Sequence, residues 1–356
     1  MKIRIAHITT SHKSNDTRIF HKQCLSLASR YEVYLISLDA LREKDYPNIN
    51  FLPIKRNRRK FGRIFSSQIE IINLVLKNKI KLVHLHDPEL IISGIIFKIL
   101  GLKVIFDIHE NYSRKSYNKN TLKGFSLAVL KKIYLFFESV SQYIFDALVT
   151  VNDDIRNKFT SDNVYIVRNY PKLRNFEKRE RNKVVYIGDI NNERGFEYFD
   201  FINDLAEEYG LRFEIYGRWN NPTRDYYKGY LEYEDLDSCL QHALLGLCIL
   251  KQNDNYINAV PTKLYEYLIN GVPTICSGFA KIKEKFKGNE GLIFVDPNNI
   301  DKTKEQIKNI FLKASELYAI GDKARKHFLS LSYTWSNEEK KLNKIYSDLL
   351  IENTNS

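Results

Sequence analysis

The sequence predicts an α/β protein built from two successive doubly wound parallel sheets. Three observations carry this expectation. β-Branched runs alternate with helical stretches along the whole chain, a charged and apolar-poor segment interrupts the alternation near the middle, and the alternation then restarts. A length of 356 residues also exceeds one ordinary core and suits about two domains.

Taken in order, "KIRIAHI", "EVYLISL", "KLVHLH", "KVIFDIH" and "ALVTV" each read as a buried strand, with helices expected around 17–30, 63–79, 88–100 and 122–145 between them. "NVYIVRNYP" supplies a last strand, so the first domain is expected over residues 1–171. "KLRNFEKRERNK" at 172–183 reads as a linker. The second domain, 184–334, opens with "VVYIGDI" and continues through a helix near 195–209, "RFEIYG", a helix near 234–243 and "LLGLCIL". It then reaches "VPTKLYEYLINGVPTI" at 260–275. There Pro261 suits the first helical position, Gly271 the left-handed stop, and "VPTIC" a buried strand.

Composition narrows the function classes. The chain is 44% hydrophobic and 13% aromatic, which is globular. Cys24, Cys239, Cys248 and Cys276 are far apart in sequence and form no CxxC pair, which argues against disulfides and a zinc ribbon and for a reduced, cytoplasmic setting. The longest apolar run, "LIISGIIFKILG", is broken by Lys98 well short of the ~18 residues of a membrane span, and "MKIRIAHITTSH" is no signal peptide. The net charge of +12 is unevenly placed: residues 1–175 hold 30 Lys and Arg against 15 Asp and Glu, the remainder 25 against 28. One half is therefore expected to face something anionic.

No GxGxxG follows a predicted strand, which disfavours a nicotinamide enzyme, and no GxxxxGK[ST] marks a P-loop. Polar clusters stand at the strand ends instead: "SHKSNDTRIF", "HLHDPEL", "DIHENY", "GDINNERG" and the helix carrying Lys263. Ligands of doubly wound sheets bind at such carboxyl ends, so the active site is expected between the two domains. Lys263 is the oddity. A cation in the first helical turn faces the positive end of the helix dipole, and an anionic ligand there would explain it.

Those clusters, with "PTKLYEYLINGVPTI" and the terminal "TWSNEEKKLNKIYSDLL", resemble the retaining glycosyltransferases of family 4 and their GT-B fold of two Rossmann-like domains. The resemblance implies that residues 335–356 return to the first domain. It further implies transfer of a sugar from a nucleotide-diphosphate donor to an acceptor, often lipid-linked, as in the bacterial synthesis of capsule, O-antigen or exopolysaccharide. No metal or other cofactor is expected.

The resemblance assigns donor binding to Gly188, Arg194, Asn258, Lys263, Leu264 and Glu266. Lys263 and Arg194 would meet the diphosphate, and Glu266, one turn beyond Lys263, the ribose hydroxyls. The sequence departs from the family pattern twice: Asp189 stands where a basic residue commonly follows the glycine, and Asn258 replaces the first of two glutamates. Catalytic roles fall on His109, Lys263 and Arg194, with Asp107 on the same strand face as His109 and able to orient it. Acceptor recognition falls on Asp16, Arg18, His86, Asp87 and Glu110. Asp16 also suits a helix N-cap. The mechanism implied is front-face attack with retention, the protein stabilising the leaving diphosphate electrostatically.

Two other classes compete. His84 and His86 project to one side of a strand, and with His109 they suit the metal of a hydrolase. A non-catalytic reading uses the basic half to hold nucleotide or nucleic acid. A membrane surface is the better match for the charge, because "KRNRRKFGRIF" at 55–65 and "RKSYNKNTLKGFSLAVLKKIYLFF" mix basic with apolar residues, beginning with Phe61, Ile64 and Phe65. The expected partners are thus a nucleotide sugar, a lipid-linked acceptor and the inner face of the plasma membrane, without nucleic acid.

Overall fold

A computed structural model describes residues 2–41, 45–54, 60–109, 124–173, 177, 179–220, 222–254 and 256–351. Glu110, much of the basic stretch at 55–65 and the beginning of the second basic stretch lie outside them. The chain forms two units, one of residues Met1–Asn169 with Trp335–Ser356, the other of Tyr170–Thr334. The segment 172–183, read as a linker, contributes to the second unit: Lys183 opens a strand, and Arg181 is buried there.

The first unit is a seven-stranded parallel sheet in the order β3-β2-β1-β4-β5-β6-β7. Its strands are β1 (Arg4–Ile8), β2 (Glu32–Ser37), β3 (Ile49–Pro53), β4 (Leu82–Leu85), β5 (Lys103–Ile108), β6 (Ala147–Thr150) and β7 (Val164–Ile166). Alternation sends Ala6, Ile8, Val83, Leu85, Val104 and Phe106 to one core, under helices Lys60–Lys77, Ile91–Ile99 and Gly124–Ile144. Ile5, Leu82, Ile105, Ala147 and Val149 face the other, covered by the helical segment from Thr17 and the helix Trp335–Ile351. The terminal helix is pinned there by Trp335, whose Nε1 donates to Ser26 Oγ at 2.9 Å.

The segment from Thr17 departs from the expected α-helix over 17–30. Thr17–Cys24 winds as a π-helix and only Leu25–Leu27 is α-helical. Asp16 caps it, its carboxylate accepting from the N–H groups of Arg18 and Ile19, both at 2.9 Å. The i→i+5 winding stacks Arg18 above Gln23, and both side chains reach one carboxylate, that of Asp107 on β5.

The second unit is a five-stranded parallel sheet ordered β12-β11-β10-β8-β9. Its strands are β8 (Lys183–Ile187), β9 (Arg212–Tyr216), β10 (Ala243–Cys248), β11 (Thr274–Ser277) and β12 (Leu292–Val295). Chain direction between neighbours reverses its progression at the β8–β10 boundary, where a ligand crevice of such a sheet is expected. The helix Thr262–Ile269 follows β10 and packs Leu264, Leu268 and Ile269 into the core. Pro261 is its N-cap, in extended conformation, rather than its first helical residue, and Gly271 stops it at φ 63°. The carboxyl end of this helix is held by two guanidinium groups. Arg181 donates to the carbonyls of Asn270 and Gly271, and Arg325 to that of Ile269.

All four cysteines are free thiols. Among the described residues no helix is long and apolar enough to cross a membrane.

Candidate active site

In the second unit the site is assembled around Tyr186 of β8. Its hydroxyl donates to the carbonyl of Asp189 at 2.8 Å, which fixes the ring at the strand's carboxyl end. Lys263, from the first turn of the 262–269 helix, lays its ammonium 3.8 Å from the ring centroid. That ammonium is buried and has no hydrogen-bond partner among the described residues. Burial pushes its pKa down to about 8, and Arg194 acts in the same direction. An unpartnered buried cation is costly, and a bound anion would relieve the cost.

Gly188 forms the wall beside it. Its φ of +144° favours glycine, and a Cβ there would stand 2.9 Å from Lys263 Nζ and push the ammonium aside. Arg194 stands in the same loop, its Nε donating to the Tyr256 hydroxyl at 3.2 Å. Glu266 is half-buried one turn beyond Lys263, on the same helix face. Asn258 is exposed in the segment between β10 and the helix. Leu264 is placed differently from the donor-contact role: its side chain is fully buried in the core and its N–H donates to Pro261 O at 3.1 Å. Only a neighbouring backbone can serve a ligand there. Tyr186 and Tyr256 escaped the sequence reading, since a tyrosine in a strand or loop reads first as a β-former or packing residue.

The first unit gathers a second set on one face of its sheet. His7 and His84 are register partners on β1 and β4, and His86 and Asp107 follow on the same side. Asp107 is fully buried. It accepts from Arg18 Nε at 3.0 Å and Nη2 at 3.1 Å and from Gln23 Nε2 at 2.7 Å. Burial would raise its pKa, but Arg18 and the neighbouring histidines outweigh that and hold it well below the usual carboxylate range. His109 Nδ1 stays 3.8 Å from Asp107 Oδ1, long for a hydrogen bond, and its Nε2 lies 3.2 Å from His12 Nε2. The Asp107 carboxylate is thus tied primarily to Arg18, and its expected orientation of His109 is only a weak contact.

Three of the five acceptor residues lie inside this unit rather than on a surface that an acceptor reaches. Arg18 is committed to Asp107 and to the Val167 carbonyl. His86 is paired with His7 at 3.0 Å. Asp87 is fully buried, accepting from Thr9 Oγ1 and Thr10 N, both at 2.7 Å, and from the Ser11 hydroxyl. Asp16 remains partly exposed beside His12, at 3.3 Å, while Glu110 is among the residues not described.

The same histidines offer ligand atoms within 4.8 Å of one another in two groups, His7–His84–His86 and His86–Asp107–His109. The first fits a metal poorly, because both His7 nitrogens are engaged, one by His86 and one by the Tyr346 hydroxyl at 3.1 Å. The second places a dication against the Arg18 guanidinium on the shared carboxylate. The residues suit a neutral, partly hydrogen-bonded cluster better, in which His84 Nε2, His86 Nδ1 and His109 Nδ1 face Asp107 without a hydrogen-bond partner among the described residues. Burial agrees with that, driving His84 down to about 4 and His7 and His86 well below their usual value.

Comparison with known proteins agrees with this division of the chain. A glycosyl transferase 4-like family model matches residues 8–133, and a glycosyl transferase-like model matches residues 199–343. No curated protein sequence matches. Among solved structures, a sucrose-phosphate synthase from Thermosynechococcus elongatus covers 99% of this chain and 100% of its own at 12% identity, with a TM-score of 0.68. HepE from Anabaena, solved with UDP-glucose, covers 97% of this chain and 100% of its own at 9% identity, with a TM-score of 0.66. A glycosyltransferase from Rickettsia africae covers 98% and 99% at 12% identity, with a TM-score of 0.63.

Proposed function

The chain is a glycosyltransferase of the GT-B fold, and from that premise we propose that its second unit holds the diphosphate of a nucleotide sugar at Lys263 and Arg194. The observation that carries this is the buried, unpartnered ammonium of Lys263 beside a glycine wall. A diphosphate supplies the anion the site lacks, with the first-turn N–H groups of the helix as further donors. Glu266, one turn on, accepts from ribose hydroxyls, and Asn258 offers a neutral amide to the sugar. The solved complexes of HepE with UDP and with UDP-glucose support a nucleotide-sugar donor.

Chemistry then follows from charge. As the bond from sugar to phosphate breaks, negative charge grows on the leaving diphosphate, and Lys263 and Arg194 are fixed in advance to meet it. The acceptor hydroxyl loses its proton to the donor's own phosphate on the same face, so the configuration is retained. In the first unit His109, with His12 beside it, is the candidate catalytic histidine. No metal takes part. The deciding experiment is calorimetric titration with UDP- and GDP-sugars, in which the wild-type chain binds at least one and Lys263→Ala binds it far more weakly; equal binding by both would remove the assignment.

A lipid-linked acceptor at a membrane surface, as in cell-surface polysaccharide synthesis, is supported by a separate observation. Ile69 and Leu76, Ile92 and Ile99, and Phe136 and Tyr143 are exposed pairs, each seven residues apart on one of the three helices that cover a single face of the first sheet. Two turns of spacing makes each pair an apolar stripe, beside the basic stretches of the sequence. Flotation with liposomes containing anionic lipid tests it: the protein rises with them, and charge-neutral liposomes or Phe136→Ser with Ile99→Ser leave it below.

A further inference from the structure

We propose that Arg218 is a positioning residue of the donor site, neutralising Asp189 so that a diphosphate can approach Lys263. This rests on the donor reading above. Asp189 directly follows Gly188, and its carbonyl takes the Tyr186 hydroxyl, so its carboxylate is held at the edge of the same platform as the Lys263 ammonium. It is close enough to Lys263 and Arg194 to favour their charged forms. A carboxylate so placed repels an incoming anion, because opposing charges that serve Lys263 work against its ligand.

Arg218 answers that charge from the turn that follows β9. Its Nε donates to Asp189 Oδ1 at 2.9 Å and its Nη2 to Oδ2 at 3.2 Å, the two-pronged geometry that suits a guanidinium. The loops behind the pair are locked together. Gly188 N donates to Tyr216 O at 2.8 Å and Ile190 N to Arg218 O at 3.0 Å. A Cβ at Gly217 would collide with the Gly188 carbonyl, so glycine is what allows the two turns to touch. The side chains themselves are open to solvent, Arg218 79% and Asp189 42% exposed, so the pair adds little to stability and its effect is on the local field.

The charges then balance the proposed ligand. Lys263, Arg194 and Arg218 against Asp189 leave two positive charges, and the diphosphate of a nucleotide sugar carries two negative ones. Without Arg218 one is lost, and the carboxylate is bare.

The test is calorimetric titration of the full chain with UDP, GDP, ADP and dTDP, comparing wild type, Arg218→Ala, Asp189→Asn and the double variant. Arg218→Ala is expected to weaken binding by about 10-fold, and Asp189→Asn in that background to restore it to within about threefold of wild type. Unchanged binding by Arg218→Ala overturns the proposal, and so does a double variant as weak as Arg218→Ala, since Arg218 would then contact phosphate itself. If Lys263→Ala loses binding while Arg218→Ala keeps it, the donor site stands and only this inference falls. A wild-type chain that binds none of the nucleotides removes both.

Discussion

The Lys263 ammonium lies 3.8 Å from the centroid of the Tyr186 ring, held by an aromatic face and by no hydrogen bond among the described residues. A ring quadrupole stabilises a buried cation only in part, by about 2 kcal/mol or somewhat more when desolvated. The remainder of the desolvation cost is left for a ligand to offset. Lys263→Ala should therefore lower turnover by roughly 10²-fold or more while the second unit stays folded, as removal of a charge-stabilising donor does elsewhere. Steady-state kinetics beside a thermal melt checks both halves of the statement.

The pH dependence of binding follows from the same group. Its pKa in the folded chain is about 8, below the ordinary 10.5, so the cation that meets the diphosphate is present below that value and lost above it. Donor affinity should be level up to about pH 7.5 and then fall, approaching tenfold per pH unit. The unfolded chain holds this proton to higher pH, so the group's own contribution to stability moves the other way and rises between about 8 and 10.5. Lys263→Arg, which stays charged, should flatten the binding profile over that range, as titrations at stepped pH would reveal.

Gly188→Ala probes the wall of the site. Its backbone sits at φ +144°, and the new methyl group would stand 2.9 Å from Lys263 Nζ, the far end of a flexible side chain. The ammonium yields more easily than the backbone, so it moves off the Tyr186 ring. We expect weaker nucleotide binding by about an order of magnitude, with a stability loss of roughly 1–3 kcal/mol from the strained backbone. Binding equal to wild type would show that the wall is dispensable.

The sequence exposed this site unevenly, for physical reasons. Lys263 was legible because one cation at the wrong end of a short helix is a local anomaly. Tyr186 was not, since a tyrosine within "VVYIGDI" satisfies strand propensity whether or not a cation rests on it. The alternation located most strands but passed over β3, "INFLP", where Asn50 and Pro53 dilute an edge strand, and β12, "LIFV", a short strand at the edge of the second sheet. The acceptor assignments suffered from a different limit. A period of 3.6 residues places Arg18 and Gln23 on different faces, and only the π-helical winding brings both onto Asp107. His86 and Asp87 stand at a strand end, where ligands commonly bind, yet their partners come from β1 and the loop beyond it, far away in sequence.

Arg18 and Asp107 form an enclosed ion pair with two parallel hydrogen bonds. Removing one partner leaves a buried charge without its counterion. Arg18→Ala should destabilise the first unit by about 3–5 kcal/mol, far more than loss of a surface pair. In a Trp219→Phe background the fluorescence of buried Trp335 reports that unit alone, and its urea midpoint should drop accordingly. A shift no larger than that of an exposed arginine would mean that Gln23 and the histidines satisfy Asp107 unaided.

The buried histidines make the first unit acid-sensitive in a window set by burial. His84 titrates at about 4 in the folded chain against an ordinary 6.5, and His7 and His86 are lowered in the same direction by the same cause. Above pH 6.5 both folded and unfolded forms are neutral, and these groups contribute no pH dependence. As pH falls below 6.5 the unfolded chain takes up protons first, so stability is lost progressively down to about 4, where His84 charges in the folded state as well. Asp107, with a depressed pKa, contributes its loss only at lower pH still. The Trp335 signal should therefore show urea midpoints that are flat near neutrality and decline from pH 6.5 toward 4. His84→Gln can keep a hydrogen bond to the Tyr346 hydroxyl, which now lies 2.8 Å from His84 Nδ1, but cannot titrate, so it should make that decline shallower. An unaltered slope in the variant would assign the acid sensitivity to other groups, and the histidine network would then be only a packing device.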